Sequence, residues 1–250
     1  MNNQERFFEL LNAVTVDCKD DGERFTVADR IGVIERLLEE SVYSPVAREP
    51  LALLYAKRPL NDGDRVMLIS SHVDCVYSKC FCSDEGDSLR GTFDNSFGNA
   101  SVLWSMLGDA LPDNVVVAFT GDEEHGSNGA LQAMTAMAKL GCSISFALVQ
   151  DVTNEGWKGG ALFALENDRV DLLTAYAIIS TLAEYSGKFA FCHNAEPDES
   201  WDYAAQGIPT VSLCLPVCGD MHSDDGVVVR KRSAVEYCKV LQMLACLLTP

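Results

Sequence analysis

The sequence is poor in basic residues and has no long hydrophobic run. Its 250 residues include 19 lysines and arginines against 37 acidic residues, which gives a formal net charge of −18. Nucleic acids and anionic membrane surfaces are bound through clustered Lys and Arg, so we expect neither as a partner. No apolar run approaches the roughly 20 residues that are needed to cross a bilayer. Cationic substrates and metal ions suit such a chain better.

An export signal and a paired-cysteine pattern are also missing. Residues 1–6 do not combine a basic segment with an apolar core, which predicts a cytoplasmic protein. The ten cysteines are scattered, so we expect reduced thiols and not a disulfide framework. Cys75, Cys80 and Cys82 form the one cluster. No second Cys or Cys/His pair follows at finger-like spacing, which disfavours a structural zinc site and leaves the role of the cluster open.

Strand-like and helix-like segments alternate along most of the chain. Amphipathic or apolar helices are predicted over residues 6–14, 25–40 (with Thr26 as a candidate cap), 98–107, 128–140, 170–185 and 230–248. Apolar strands are predicted over residues 115–119, 145–150, 161–165, 188–192 and 208–215, and a short helical turn over 201–206. Segments 51–57 and 65–72, separated by an Asn-Asp-Gly turn, predict an antiparallel hairpin that enters the sheet.

This order predicts an α/β fold with three layers, α/β/α. The central sheet is expected to be mixed but mostly parallel, with helices on both faces. The sequence contains no internal repeat, low-complexity tract or Pro/Ser-rich linker. We therefore expect a single catalytic domain over residues 1–250.

Candidate metal ligands follow several of the apolar runs. Glu123 and Glu124 come just after the strand-like run 115–119. Neighbouring side chains that leave a strand point in different directions, so one glutamate could hold a metal while the other moves protons. Other possible ligands stand at comparable points, namely His72, Asp74, Asp94, Asp151 and His222. Ligands bind beyond the carboxyl ends of strands in open α/β sheets, and imidazole with carboxylate suits zinc.

Five ordered motifs carry a specific resemblance. They are His72-Val73-Asp74, Gly91-Thr92-Phe93-Asp94-Asn95-Ser96-Phe97-Gly98, Asp122-Glu123-Glu124-His125-Gly126, Asp151 and His222. In order and spacing they resemble the co-catalytic zinc aminopeptidases, above all the bacterial leucyl aminopeptidase (aminopeptidase Y) type, with similarity to glutamyl and tetrahedral aminopeptidases. The resemblance spans residues 66–248. It implies a zinc-exopeptidase (phosphorylase/hydrolase-like) fold.

The resemblance also implies a centre of two Zn²⁺ ions, with Mn²⁺ or Co²⁺ as alternatives. Asp94 would bridge the two ions. His72 and Asp151 would complete the shell of one ion, and Glu124 and His222 that of the other.

Two further acids receive roles from the same resemblance. Glu123 would be the general base, taking a proton from the attacking water and delivering it to the leaving amine. Asp74 would accept the imidazole N–H of His72 and fix its tautomer. Only 19 residues separate Asp74 from Asp94, whereas tetrahedral aminopeptidases carry an inserted domain there. This spacing disfavours a large cage assembly, and we allow for a homodimer.

The leading hypothesis is therefore a metal-dependent aminopeptidase that removes N-terminal residues from peptide or aminoacyl substrates. A carboxypeptidase or deacylase on the same scaffold is the first alternative. It would need a cation to hold a substrate carboxylate, and Arg90 and Lys158 are the nearest in sequence. A non-catalytic metal-binding domain is the second alternative, and the paired glutamates argue against it. The residue specificity stays open.

Overall fold

The structure is a computed structural model that describes residues 3–16, 25 and 30–250. Its strands are β1 (Ser44–Glu49), β2 (Ala52–Ala56), β3 (Arg65–His72), β4 (Cys82–Asp84), β5 (Ser88–Gly91), β6 (Val115–Thr120), β7 (Ser143–Thr153), β8 (Phe163–Arg169), β9 (Phe189–Cys192), β10 (Thr210–Pro216) and β11 (Val227–Arg230). Its helices are α1 (Asn3–Val14), α2 (Arg30–Leu38), α3 (Ser96–Leu107), α4 (Asn128–Lys139), α5 (Leu172–Thr181), α6 (Glu199–Ala205) and α7 (Lys231–Leu248), and a 3₁₀ turn covers Ala183–Tyr185.

Eight strands form the central sheet in the order β1-β2-β6-β3-β7-β10-β8-β9. Strands β6, β3, β7 and β10 are parallel to their neighbours within this group, while β2 and β8 join it antiparallel. A small sheet of order β11-β5-β4 stands beside it. The prediction of a mixed, mostly parallel sheet is confirmed.

Both faces of the central sheet are buried at its centre, because alternate side chains of β2, β3, β6 and β7 enter different apolar clusters. Ile69 and Val117 pack with α1, α3 and α7 in one cluster. Leu68 and Val116 pack with α4 and α6 in the other. This two-sided burial explains why strands such as β6 are continuously apolar. The resulting α/β/α layering is the predicted fold class.

The predicted hairpin between segments 51–57 and 65–72 is wrong. β6 lies between β2 and β3, and β2 forms its antiparallel pairs with β1 and β6. A turn signal specifies only that the chain reverses, and the hydrogen-bonding partner is decided by the whole sheet. β1 itself escaped prediction because this edge strand has no buried side chain and no apolar alternation.

The second helix was predicted to begin at Phe25, and that boundary is wrong. Phe25 forms an isolated bridge, with its N–H donating to the carbonyl of Pro50 at 2.9 Å. The helix is described from Arg30 to Leu38. The candidate cap Thr26 lies outside the described residues. Across the parts of the chain that the structure covers, no helix has both the length and the apolar character of a membrane span.

Candidate metal centre

The carboxyl ends of the parallel strands bring the predicted ligands to one edge of the sheet. His72 is the last residue of β3 and pairs with Thr120, the last residue of β6. Asp151 lies near the end of β7, which pairs with both β3 and β10. The chain leaves β10 at Pro216 and reaches His222 six residues later. The site therefore occupies the crevice in which α/β sheets bind ligands.

Asp94 reaches this crevice from the loop between β5 and α3. The next residue, Asn95, caps α3 by accepting the N–H of Gly98 at 2.9 Å, and its amide donates to the carbonyl of Gln150 at 2.6 Å. A Cβ atom at Gly98 would lie 2.3 Å from Oδ1 of Asn95, so only glycine permits this cap. Asn99 donates to the carbonyl of His72 at 2.8 Å, which ties the helix to β3.

Asp94 stands between two groups of potential ligands. Its Oδ1 lies 3.0 Å from Nε2 of His72, and the same nitrogen is 3.7 Å from Oδ1 of Asp151. Its Oδ2 lies 3.6 Å from Nε2 of His222, which is 3.4 Å from Oε2 of Glu124. These are the two clusters of three metal-ligand types found among the described residues, and Asp94 belongs to both.

The donor atoms of these residues fit a metal. Both ring nitrogens of His72, Oδ1 of Asp94 and Oε1 of Glu124 are buried without a hydrogen-bond partner in the described chain. Buried polar atoms are almost always satisfied, so such a convergence of unsatisfied ones needs an explanation. Imidazole nitrogen and carboxylate oxygen are the usual protein ligands of catalytic zinc.

Crowding of carboxylates makes a cation favourable here. Burial, reinforced by the charge of Asp94, raises the pKa of Glu124 to about 8. Burial also raises the pKa of Asp151 to about 6, with Asp94 adding to the effect. Like charges in a poorly solvated site oppose ionisation, and divalent cations would relieve this repulsion.

Asp74 lies next to the predicted ligand His72. Its Oδ1 is 3.4 Å from Nδ1 of His72, and its Oδ2 accepts the N–H of Glu124 at 3.2 Å. Burial opposes the charge on Asp74, but contact with His72 and the Glu124 N–H lowers its pKa. Burial tends to lower the pKa of His72, yet the nearby carboxylates of Asp151, Asp74 and Asp94 outweigh burial and raise it. Asp74 is therefore placed to orient the imidazole.

Glu123 lines the same pocket as Glu124. Burial, together with the charges of Asp151 and Asp94, raises the pKa of Glu123 to about 10. Asp122, just before it, has a φ of 62° and turns the chain sharply after β6. Divalent cations in the centre would lower this pKa towards neutrality, where a carboxylate can accept and return a proton.

Two loops close the side of the site that carries His222. The hydroxyl of Tyr77 donates to the carbonyl of Met221, next to His222. The N–H of Ser78 donates to Oδ1 of Asp224 at 2.7 Å. The segment after Asp74 therefore holds the loop of His222, a role that no motif in the sequence indicated.

Sequence reasoning also missed two buried acids. Glu166 of β8 is 5% exposed and lines the pocket with Glu123. Glu199, the first residue of α6, is 1% exposed and accepts the hydroxyl of Ser70 at 2.8 Å. A lone glutamate in a polar stretch gives no signal, because nothing local shows that it will be buried.

His125, His193 and Asp198 belong to neither group of potential metal ligands. His125 is exposed in the loop after Glu124. His193 is 2.6 Å from Oδ1 of Asp168 and does not line the pocket. Asp198 does line the pocket and caps α6 by accepting the N–H of Ser200 at 2.9 Å.

The cysteine cluster forms no metal site with three ligands in the described chain. The Sγ atoms of Cys75 and Cys80 are 3.9 Å apart. No disulfide joins any of the nine cysteines within the described ranges.

The fold is shared with solved peptidase structures of low sequence identity. An aminopeptidase from Desulfurococcus kamchatkensis is 10% identical, with a TM-score of 0.75 over 99% of this chain and 96% of that one. The TET1 peptidase of Pyrococcus horikoshii, which can assemble into a tetrahedron or a large octahedral shell, is 13% identical, with a TM-score of 0.72 over 96% and 99%. The aminopeptidase PepT from Bacillus cereus is 12% identical, with a TM-score of 0.67 over 96% and 97%.

Family membership rests on the sequence itself. No curated protein matches the chain, but residues 54–227, well over half of its length, match peptidase family M28. This match spans Asp74, Asp94 and the paired glutamates, and it confirms the predicted class of metal-dependent peptide hydrolase. The chain belongs to peptidase family M28.

Proposed function

We propose that this protein is a metal-dependent aminopeptidase with a two-zinc centre. The observation that carries the proposal is the position of Asp94, whose two carboxylate oxygens each face a different ligand group. A carboxylate shared in this way is what two-metal hydrolytic sites require, since their ions are about 3.5–4 Å apart.

His72 and Asp151 would hold one ion, Glu124 and His222 the other, and Asp94 both. When bound, the ions supply Lewis acidity that activates a water molecule and polarises the scissile carbonyl. The Oδ1 of Asp74 lies 3.4 Å from Nδ1 of His72, where it would orient the imidazole so that Nε2 faces the centre. Mn²⁺ or Co²⁺ suits the same nitrogen and oxygen donors.

Glu123 moves the proton. Its carboxylate takes a proton from the attacking water and returns it to the nitrogen of the leaving amine. Burial raises the pKa of this side chain, and bound cations would oppose that shift and leave the carboxylate free to accept the proton. The neighbouring Glu124 would bind a metal ion instead, since its Oε2 lies 3.4 Å from Nε2 of His222.

The charge of the pocket favours a substrate with a free amine over one with a free carboxylate. The pocket has a volume of about 640 Å³, and no Lys or Arg is among the described residues that line it. Arg90 pairs with Glu85 at 2.9 Å, and Lys158 is exposed; neither lines the pocket. A carboxypeptidase would lack a cation to bind the C-terminal carboxylate of its substrate. The N-terminal ammonium of an aminopeptidase substrate would instead lie next to carboxylates of opposite charge.

The first experiment tests the centre and its base together. Protein purified without chelators should contain two equivalents of zinc, manganese or cobalt and hydrolyse aminoacyl p-nitroanilides. Glu123→Gln should keep the metal content and lose about 10²- to 10⁴-fold in kcat. Full activity of this variant would remove Glu123 as the base.

The second experiment distinguishes the amidohydrolase alternatives. Free and N-acetylated leucyl p-nitroanilide are compared with a C-terminally free dipeptide at equal metal loading. The proposal expects the free amine to be hydrolysed and the acetylated compound to be inert. Faster hydrolysis of the acetylated substrate would favour a deacylase.

A further inference from the structure

Glu166 is a buried acid in the active-site pocket that the proposed mechanism does not use. It lies on β8, is 5% exposed and lines the pocket together with Glu123 and Asp151. Its Oε1 is buried and has no hydrogen-bond partner in the described part of the protein. An unpartnered carboxylate oxygen at this depth is costly unless a ligand satisfies it.

The sheet places Glu166 on the same face as the metal ligand Asp151. Asp151 pairs with Cys214 of β10, and Cys214 pairs with Ala164 of β8. Paired residues project from the same face, and so does Glu166, two residues beyond Ala164. Because one strand lies between β7 and β8, the Cα atoms of Asp151 and Glu166 are roughly 10–12 Å apart. A long substrate side chain can bridge such a distance.

The pocket also contains acidic residues that are neither proposed metal ligands nor the proposed base. Asp94, Asp151 and Glu124 are assigned to the ions and Glu123 to the proton. The remaining acids that line the pocket are Glu155, Glu166, Glu196 and Asp198.

Among these four, Glu166 is set apart by its burial and its free oxygen. Asp198 is buried, but it already accepts from Ser200 and from the hydroxyl of Ser212 at 2.5 Å. Glu155 and Glu196 are exposed to solvent. Glu166 alone in this set combines burial with an oxygen that lacks a partner in the described chain.

We propose that Glu166 binds the cationic side chain of the substrate's N-terminal residue, so that the enzyme prefers N-terminal lysine or arginine. The proposal rests on the aminopeptidase function above. An ammonium or guanidinium group would satisfy the free oxygen and neutralise the buried charge in one contact. The exposed acids Glu155 and Glu196 would attract the same substrates towards the pocket.

The proposed preference for cationic substrates depends on pH, because the surroundings of Glu166 shift its pKa. Burial raises the pKa of Glu166 to about 7; the hydroxyl of Thr153 partly opposes this shift, and the charges of Asp151, Asp198 and Glu155 add to it. The neutral thiols of Cys214 on β10 and Cys192 on β9 line the same pocket. No cation faces the carboxylate from these elements in the described structure, so a bound substrate cation would return its pKa towards the ordinary range.

The test compares substrates that differ only in the side-chain charge. We measure kcat/KM for the p-nitroanilides of lysine, arginine, norleucine and Nε-acetyl-lysine. The wild type should prefer lysine and arginine over norleucine by at least tenfold. Glu166→Gln should reduce activity on both cationic substrates about 10- to 100-fold, which is the scale of one hydrogen bond to a charged group. It should leave norleucine within threefold.

Two variants serve as controls. Glu166→Asp keeps the charge and should retain part of the lysine preference that Glu166→Gln loses. Glu40→Gln removes an exposed acid outside the pocket and should change no ratio. An equal loss on norleucine and lysine in Glu166→Gln, or a wild type that prefers norleucine, would overturn the proposal.

A binding experiment separates this proposal from the proposed function. Calorimetry measures the affinity of free lysine and of norleucine for the metal-loaded protein. Lysine should bind at least tenfold more tightly, and Glu166→Gln should abolish the difference. Discrimination without any hydrolysis would refute the aminopeptidase assignment and keep Glu166 as a cation site. Hydrolysis with no discrimination would refute the role of Glu166 alone.

Discussion

Replacement of the buried Glu199 by glutamine should stabilise the protein, and more so at high pH. The side chain is 1% exposed, and its Oε2 accepts the hydroxyl of Ser70 at 2.8 Å. Burial raises its pKa from 4.5 to about 7, although Thr120 and Ser70 partly oppose the shift. An acid with a raised pKa holds its proton more tightly in the folded than in the unfolded state. The free energy of unfolding therefore falls as pH rises between these two values.

The magnitude follows from the two pKa values. The penalty is absent below pH 4.5, grows to about 1 kcal/mol at pH 5.5, and reaches about 3 kcal/mol above pH 7. Glutamine keeps the shape and an acceptor for Ser70, but it carries no charge. The advantage of Glu199→Gln should thus increase by about 2 kcal/mol from pH 5.5 to pH 8, or roughly 4–8 °C in Tm for a chain of this size.

The assay is thermal and urea unfolding of the metal-loaded protein at both pH values. The exposed Glu40→Gln serves as the control and should show no pH-dependent difference from the wild type. A variant that is destabilised equally at both pH values would refute the reasoning. It would mean that the charged carboxylate is satisfied in the folded protein.

Three further outcomes test the metal centre and the role of Glu166. Asp94→Ala should lose both metal equivalents in metal analysis, whereas Asp151→Ala should lose one; equal losses would contradict a shared carboxylate. Tyr77→Phe removes the hydroxyl that holds the loop of His222 and should weaken metal affinity about 10-fold in chelator titrations, with the fold unchanged by circular dichroism. The kcat/KM ratio of lysyl to norleucyl substrate should rise from pH 5.5 to pH 8, because Glu166 ionises as pH passes about 7; a flat ratio would contradict a carboxylate contact.

Local sequence was sufficient for most elements and for the placement of the ligands. The apolar run of β6 and the helical periodicity of α7 predicted their elements to within a residue or two. His72, Asp94, Glu124, Asp151 and His222 were expected to meet because strand ends in such a sheet converge. The structure brings them into two groups of three that share Asp94, with the ligand atoms of each group within 4.8 Å of one another. Their roles as ligands stay a prediction, as do the single domain and the cytoplasmic location.

By itself, the sequence determined the fold class and the family and predicted which residues would bind metal, because periodicity and ordered motifs can be recognised without knowledge of the packing. Only the tertiary structure decided the neighbours of β2, the burial of Glu166 and Glu199, and the contact of Tyr77 with the loop of His222. These features join residues that are distant in the chain. Their energies depend on desolvation and on partners that the packing of the whole sheet supplies, and no local pattern encodes them.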